Sequence, residues 1–322
     1  MAKLKNLFGE PPFYMPFPSS PNLPSSFQST IEKGFSFSGE SLHSGQKCEV
    51  SLAPSKENTG IRFYNTDYPE HGFFSLSPAC LLPGNLATII AHPEHPEARI
   101  STTEHFLAAL RAFELDNLDI TVSGGEIPIQ DGCAAFFSQK LAQAGRKELP
   151  AKRKWIKILQ EVHIAHEGAE TALFPSEYPQ FQIEIDFPAP AIGKQGMSCF
   201  LDADFFTKEI APARTFVNAD QLEQLRQMGL IKGGTLDNAL VVDGDKIVNP
   251  EGTRYPNEFA RHKLLDAIGD LYCAGLPILG RFSGKKSGHN INRMLLQKLF
   301  SDSHNYEIVE APPLYLPSSL KD

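Results

Sequence analysis

EFARHKLLDAIGDL, residues 258–271, carries two patterns at once. At ~100° per residue, Leu264, Leu265, Ile268 and Leu271 fall on one side of a helix. His262, Asp266 and Asp270 fall within about 80° of one another on the other side, with Lys263 at the edge of their stripe. The apolar side seats the helix on a core. The polar stripe shows a His-x3-Asp pair and a second carboxylate along one line, which is how a helix offers two ligands to a divalent metal. A surface His and Asp bonded at i, i+4 has the same spacing, so the rest of the chain must decide between them.

Outward from this stretch, short apolar–polar alternations and helical periods follow one another in a fixed order. Residues 27–92 contain STIEKGFSFSG, QKCEVSLAP, GIRFYNTD and LATIIAH, strand-like runs separated by Gly, Pro, Asn and Asp. A helix is expected in STTEHFLAALRAF, with Ser101, Thr102 or Thr103 as its cap and Phe106, Leu107, Leu110 and Phe113 as its apolar face. The strand LDNLDITVSG and the loop EIPIQDG lead to a second helix, capped by Asp131 and ended by Gly145. After Pro150 the plan recurs: strands KWIKILQEVHI, AETALFP and QFQIEIDFP, then an amphipathic segment opened by Asp220 and stopped at Gly233-Gly234. A hairpin turning at Asp243-Gly244, the helix from Glu258, the strand PILGRFS and a last helix HNINRMLLQKLF complete it. The expected fold is therefore α+β: two similar β-α-α-β domains, residues 27–150 and 151–322, each a sheet covered by a helical layer, with the site between them. Residues 1–26, with six prolines, are read as an extended arm.

With 41% hydrophobic residues in 322, the chain has the composition of a globular protein with real cores. A net charge of −8 argues against nucleic acid or an anionic membrane as partner. The five cysteines show no C-x-x-C spacing, which fits reduced thiols in the cytoplasm. No apolar run approaches the ~20 residues of a membrane span.

G-x-G-x-x-G, H-E-x-x-H and G-x-S-x-G are all missing, and Gly280–Lys285 is one residue too short for a phosphate loop. What remains is histidine beside carboxylate at helix starts. If His105 joined His262 and Asp266, two imidazoles and a carboxylate would leave a fourth position open, the composition of a catalytic zinc. Glu104 adjoins His105 but points ~100° away on the helix, and a buried histidine with a backbone bond remains the plain alternative for His105. His289 follows Ser287-Gly288 at a helix start, where Asp270 would favour its charged form. His43, His71, His92, His95, His163, His166 and His304 have no comparable setting and receive no role.

STTEHFLAAL, EIPIQDG, ARTF, RHKLLDAIGDL and KSGHNINRMLL, in that order, with SLHSGQK and ENTGIRFYNTD before them, resemble the UDP-3-O-acyl-N-acetylglucosamine deacetylases of lipid A biosynthesis in Gram-negative bacteria. The resemblance runs from about Gln28 to Leu299. It implies a cytoplasmic hydrolase, expected as a monomer without membrane insertion, that removes acetate from the 2-acetamido group of an acylated nucleotide sugar. One Zn2+ per chain is implied on His105, His262 and Asp266, and iron(II) suits the same set. The resemblance further implies Glu104 as general base, His289 as second catalytic histidine oriented by Asp270, and Thr215 on the oxyanion. Lys263, Phe216 and Asp220 match substrate-contacting positions. Lys263, with Lys285 and Lys286, is expected to supply charge for the diphosphate. Ser41 and Cys133 depart from the family's usual Gly and Ser, and neither is a proposed ligand. The acyl passage is expected between about Gly229 and Val242, including Lys232 and Leu236. The alternative is a zinc hydrolase of the same fold acting on a different amide.

Overall fold

The computed structural model describes residues 24–84 and 86–310. Most of the Pro-rich arm, residues 1–23, lies outside them.

Two five-stranded sheets dominate. The first runs Phe35–Glu40, Lys47–Pro54, Leu118–Ser123, Ile61–Asn65 and Phe74–Ser75. The second runs Val162–His166, Ala169–Phe174, Arg281–Lys285, Gln180–Asp186 and Lys194–Phe200. Counted along the chain, both have the order 1-2-5-3-4. In both, the central strand is antiparallel to one neighbour and parallel to the other. The alternation in Ile61–Asn65, Leu118–Ser123 and Gln180–Asp186 translates into alternating burial, as one covered face demands. Helices cover those faces. Phe37 of the first sheet packs on Phe106 of the Glu104–Ala112 helix and on Phe136 and Phe137 of the Ala135–Ala144 helix. The Glu258–Tyr272 and His289–Phe300 helices lie on the second sheet. The protein is thus a mixed α+β fold, as its periodicities indicate.

Glu104–Ala112 and Glu258–Tyr272 make the most extensive contact of any two elements. Gly269 permits it: a Cβ there would stand 2.0 Å from the Glu104 carbonyl oxygen and 2.9 Å from its Cα. A helix-interior glycine costs ~0.5–1 kcal/mol relative to alanine, and here it lets two backbones touch.

Several boundaries differ from the sequence reading. Asp131 does not cap the second helix, which begins at Ala135; its carboxylate pairs with Arg254 across 3.1 Å instead. Thr103 occupies the cap position of the first helix, but its hydroxyl donates to the Thr88 carbonyl. The Ala219–Gln227 helix stops short of Gly233, and Gly229 turns the chain at φ +78°. PILGRFS divides at Gly280 into Ile278–Leu279, paired with Lys154–Ile158, and Arg281–Lys285 in the large sheet. The Lys194–Phe200 strand carries no alternating signal in the sequence, because six of its seven residues are buried.

Candidate active site

The helix crossing sets the polar stripe of residues 262–270 against the first turn of Glu104–Ala112. Glu104, His105, His262, Asp266, Asp270 and His289 are all at least nine-tenths buried. Nε2 of His105 and Nε2 of His262 lie 3.5 Å and 3.3 Å from one atom, Oδ1 of Asp266. Their rings meet edge to face at 84°. Nδ1 of His262 donates to the Ala213 carbonyl across 3.0 Å, so its Nε2 faces the centre with a free lone pair. Burial pushes His262 down to about 3, and it stands as the neutral imidazole a metal needs. Burial alone would raise Asp266, but the basic side chains around it, with the Lys263 ammonium bonded to Oδ2, outweigh it and hold the carboxyl well below its usual range.

The fit to a cation rests on Oδ1 of Asp266. Among the described residues it is buried without a hydrogen-bond partner, while Oδ2 accepts from Lys263 Nζ across 2.7 Å. A buried anionic oxygen facing two imidazole nitrogens, one of them the lone pair of His262, is costly unless something positive joins them. Ligands ~2.0–2.1 Å from a tetrahedral ion stand roughly 3.3–3.4 Å from each other, close to the two spacings found. The donor set fits a divalent metal.

On the other side of the cluster, Glu104 Oε2 accepts from the Thr88 backbone N–H across 2.9 Å, and burial raises the Glu104 carboxyl above its ordinary range. His289 Nε2 lies 4.0 Å from both Glu104 Oε1 and Asp266 Oδ2. Its Nδ1 is bonded to Asp270 at 3.0 Å. Burial opposes charge on His289, but Asp270, then Glu104 and Asp266, raise it to about 9. The Asp270 carboxylate is itself held by Asn292 Nδ2 at 2.8 Å and by the Thr88 hydroxyl.

Glu104, His105, His262, Asp266 and His289 border a cavity of about 190 Å³, also lined by Thr215, Phe216 and Lys263. Each residue of ARTF has a place: Ala213 fixes the His262 tautomer, Arg214 clamps the buried Glu258 at the head of the ligand helix, and Thr215 and Phe216 face the cavity. Phe216 meets Phe259 and Phe187 edge to face at 4.9 and 5.3 Å. Gly132, at φ +78°, passes so close to the Asn238 carbonyl that a Cβ would stand 2.0 Å from it, and its own carbonyl accepts from Thr215 N–H.

Not every expected residue converges. Asp220 is exposed in the first turn of the Ala219–Gln227 helix and does not line the cavity, although Asn218 and Gln221 do. Lys263 lines it with its ammonium engaged by Asp266. Lys285 and Lys286 are not among the lining residues, and Lys286 pairs with Asp186 at 3.0 Å. Thr88 was missed: nothing in the run LATIIAH sets it apart. Asn292 had a faint signal, three residues after His289 on one helix face.

The chain matches the family model described as UDP-3-O-acyl N-acetylglycosamine deacetylase over residues 28–301. It belongs to that family. A UDP-3-O-acyl-N-acetylglucosamine deacetylase of Campylobacter hominis is 40% identical over 282 residues, covering 88% of this chain and 94% of the relative. Proteins of the same name from Phenylobacterium zucineum and Chromobacterium violaceum are 40% and 38% identical over 274 and 297 residues, covering 85% and 91% of this chain and 93% and 96% of theirs. Membership in the deacetylase family and a buried His2Asp cluster thus come from independent observations. Among the described residues, no helix is long and apolar enough to cross a membrane.

Proposed function

We propose that this protein hydrolyses the 2-acetamido group of UDP-3-O-(hydroxyacyl)-N-acetylglucosamine to the free amine and acetate, the committed step of lipid A biosynthesis, with one divalent metal on His105, His262 and Asp266. The observation that carries the metal is the unpartnered Oδ1 of Asp266 between two imidazole nitrogens. Zn2+ bound there, or Fe2+ in the same set, would polarise the amide carbonyl and bring a water to a pKa near ~7.

Glu104, buried beside this cluster, takes a proton from the attacking water as its oxygen bonds to the carbonyl carbon. Negative charge then develops on the carbonyl oxygen, which the Thr215 hydroxyl, on the cavity wall, is placed to meet. His289, kept protonated by Asp270, gives its proton to the nitrogen as the C–N bond breaks. Phe216 shapes the wall against which the sugar lies, and a substrate contact of Asp220 would be made from the exposed first turn of its helix, beside the lining residues Asn218 and Gln221. Lys263 stays with Asp266 and adds positive charge.

A second cavity, of about 280 Å³, shares Leu42, Leu86, Thr215, Phe216 and Val217 with the first and continues along Leu222, Ile231 and Leu236. Its apolar lining suits an acyl chain. Lys232, expected in that passage, is not among the residues lining it. The two sheets of equal strand order support two α+β domains, 27–150 and 151–322, closing on the site. The enzyme would act as a cytoplasmic monomer. The test is to incubate metal-defined protein with UDP-3-O-(hydroxyacyl)-N-acetylglucosamine and measure acetate. Stoichiometric release supports the reading; no release with correctly metallated, folded protein overturns it.

A further inference from the structure

Away from the deacetylase cluster, the Ile89–His92 and His95–Ile100 strands form a hairpin whose end carries His92 opposite His95. His95 and Glu97 stand at i and i+2 on one strand, so both side chains leave the same face. The Pro69–His71 turn brings His71 against them. Nε2 of His71 is 3.1 Å from Oε1 of Glu97, and Nδ1 of His95 is 3.6 Å from that same oxygen. The two imidazoles stack with centroids 3.8 Å apart and planes 9° from parallel. All three ligand atoms lie within 4.8 Å of one another, and Oε1 of Glu70 is 3.6 Å from His71 Nε2.

We propose that His71, His95 and Glu97 form a second divalent-metal site, with the sequence-distant turn and hairpin as its two arms. The three side chains bring two imidazole nitrogens and a carboxylate oxygen together. The cluster is rich in lone pairs and poor in donors, and a dication supplies what it lacks. Two nitrogens and one carboxylate oxygen select Zn2+, Co2+, Ni2+ or Cu2+ over Mg2+ and Ca2+, which prefer oxygen ligands throughout. The stacked rings keep their lone pairs in two nearly parallel planes, so bringing both onto one ion requires one ring to turn. His95 is 41% exposed and free to do so, whereas His71 is held at 14%.

This ion would be structural. The strand from His95 spans roughly 16 Å before the chain reaches Ser101 and the catalytic helix. It would pin the turn to the hairpin and stabilise the folded chain by mass action, leaving turnover alone.

The experiment strips the full-length chain with chelator, dialyses it against low-micromolar free Zn2+ or Co2+, and counts bound metal. Wild type should hold two equivalents, and His95→Ala and Glu97→Gln one each, with wild-type turnover. Asp266→Ala should hold one, and Asp266→Ala combined with His95→Ala none. Zn2+ added beyond the first equivalent should raise the melting temperature of wild type and not of His95→Ala. One equivalent in both wild type and His95→Ala, two in His95→Ala, or none in Asp266→Ala would overturn the second site. Two equivalents in Asp266→Ala would instead count against the active-site ligands, so the two readings fail separately.

Discussion

Gly269→Ala tests whether the helix crossing builds the site. The new Cβ would meet the Glu104 carbonyl oxygen at 2.0 Å, its carbonyl carbon at 2.7 Å and its Cα at 2.9 Å. All three are backbone atoms, so no side chain can swing aside. Restoring ordinary contact requires an opening of roughly 1.4 Å, carrying Glu104 and His105 away from Asp266. Overpacking of this kind costs ~1–3 kcal/mol, partly offset by the ~0.5–1 kcal/mol that alanine gains over glycine in a helix. Net stability should fall modestly. Activity should fall much further, since a displacement of ~1 Å at a reacting group costs on the order of 10²-fold. Ala267→Gly, two residues away in the same buried helix, is the contrast: it loses helix propensity without pushing the helices apart, and should keep most of its turnover. Acetate release, bound metal and melting temperature are measured for both. Gly269→Ala with wild-type turnover and metal content would refute the claim that this close approach sets the catalytic geometry.

His262→Ala and Asp266→Ala should lose active-site metal and activity together, because a three-ligand site short of one ligand binds weakly; metal analysis resolved from the surface cluster reads this. Glu104→Ala and His289→Ala should each retain that metal while turnover drops roughly 10²–10⁴-fold, the usual worth of general acid–base catalysis. His289 must be protonated to act, so turnover should decline as pH rises through about 9, and this limb should disappear in His289→Ala. Glu104 must be ionised, so its raised pKa places the acid limb above the ordinary carboxylate range. Thr88→Val removes a hydroxyl donor from Asp270. The carboxylate then leans more on His289, moving the basic limb to higher pH and lowering turnover up to about tenfold, with Thr88→Ser restoring both.

Much of this was legible where one periodicity dominates. The 258–271 stripe put His262, Asp266 and Asp270 on one face, and the helix places them so. His105 and Glu104 were visible as a pair but not as partners of residue 266, because that relation exists only across the crossing. Thr88 could not be read at all: it acts from the residue just before the Ile89–His92 strand through one hydroxyl, one N–H and one carbonyl. Asp131 looked like a helix cap because a carboxylate before an apolar run usually is one. The salt bridge to Arg254, 123 residues away, outcompeted the local bond. Asp220, matched by resemblance, is exposed in the first turn of its helix, where a carboxylate complements the dipole regardless of any substrate.

Two histidines bordering one cavity end in opposite protonation states, and the cause is what each second nitrogen touches. Nδ1 of His262 meets a backbone carbonyl, which accepts its hydrogen bond but adds no net charge, and the pull of Asp266 on the other nitrogen is opposed by His105 and Lys263, so burial wins and the ring stays neutral at pH 7. Nδ1 of His289 meets the Asp270 carboxylate, whose charge overrides the same burial and keeps the ring protonated. Groups whose surroundings drive their pKa values apart are the ones that divide roles in a site. A neutral ring can give a lone pair to a cation, and a charged one can give a proton to a departing amine. Exchanging the two environments would leave neither job done. The Ala213 carbonyl and Asp270 are therefore as much a part of the chemistry as the rings they hold.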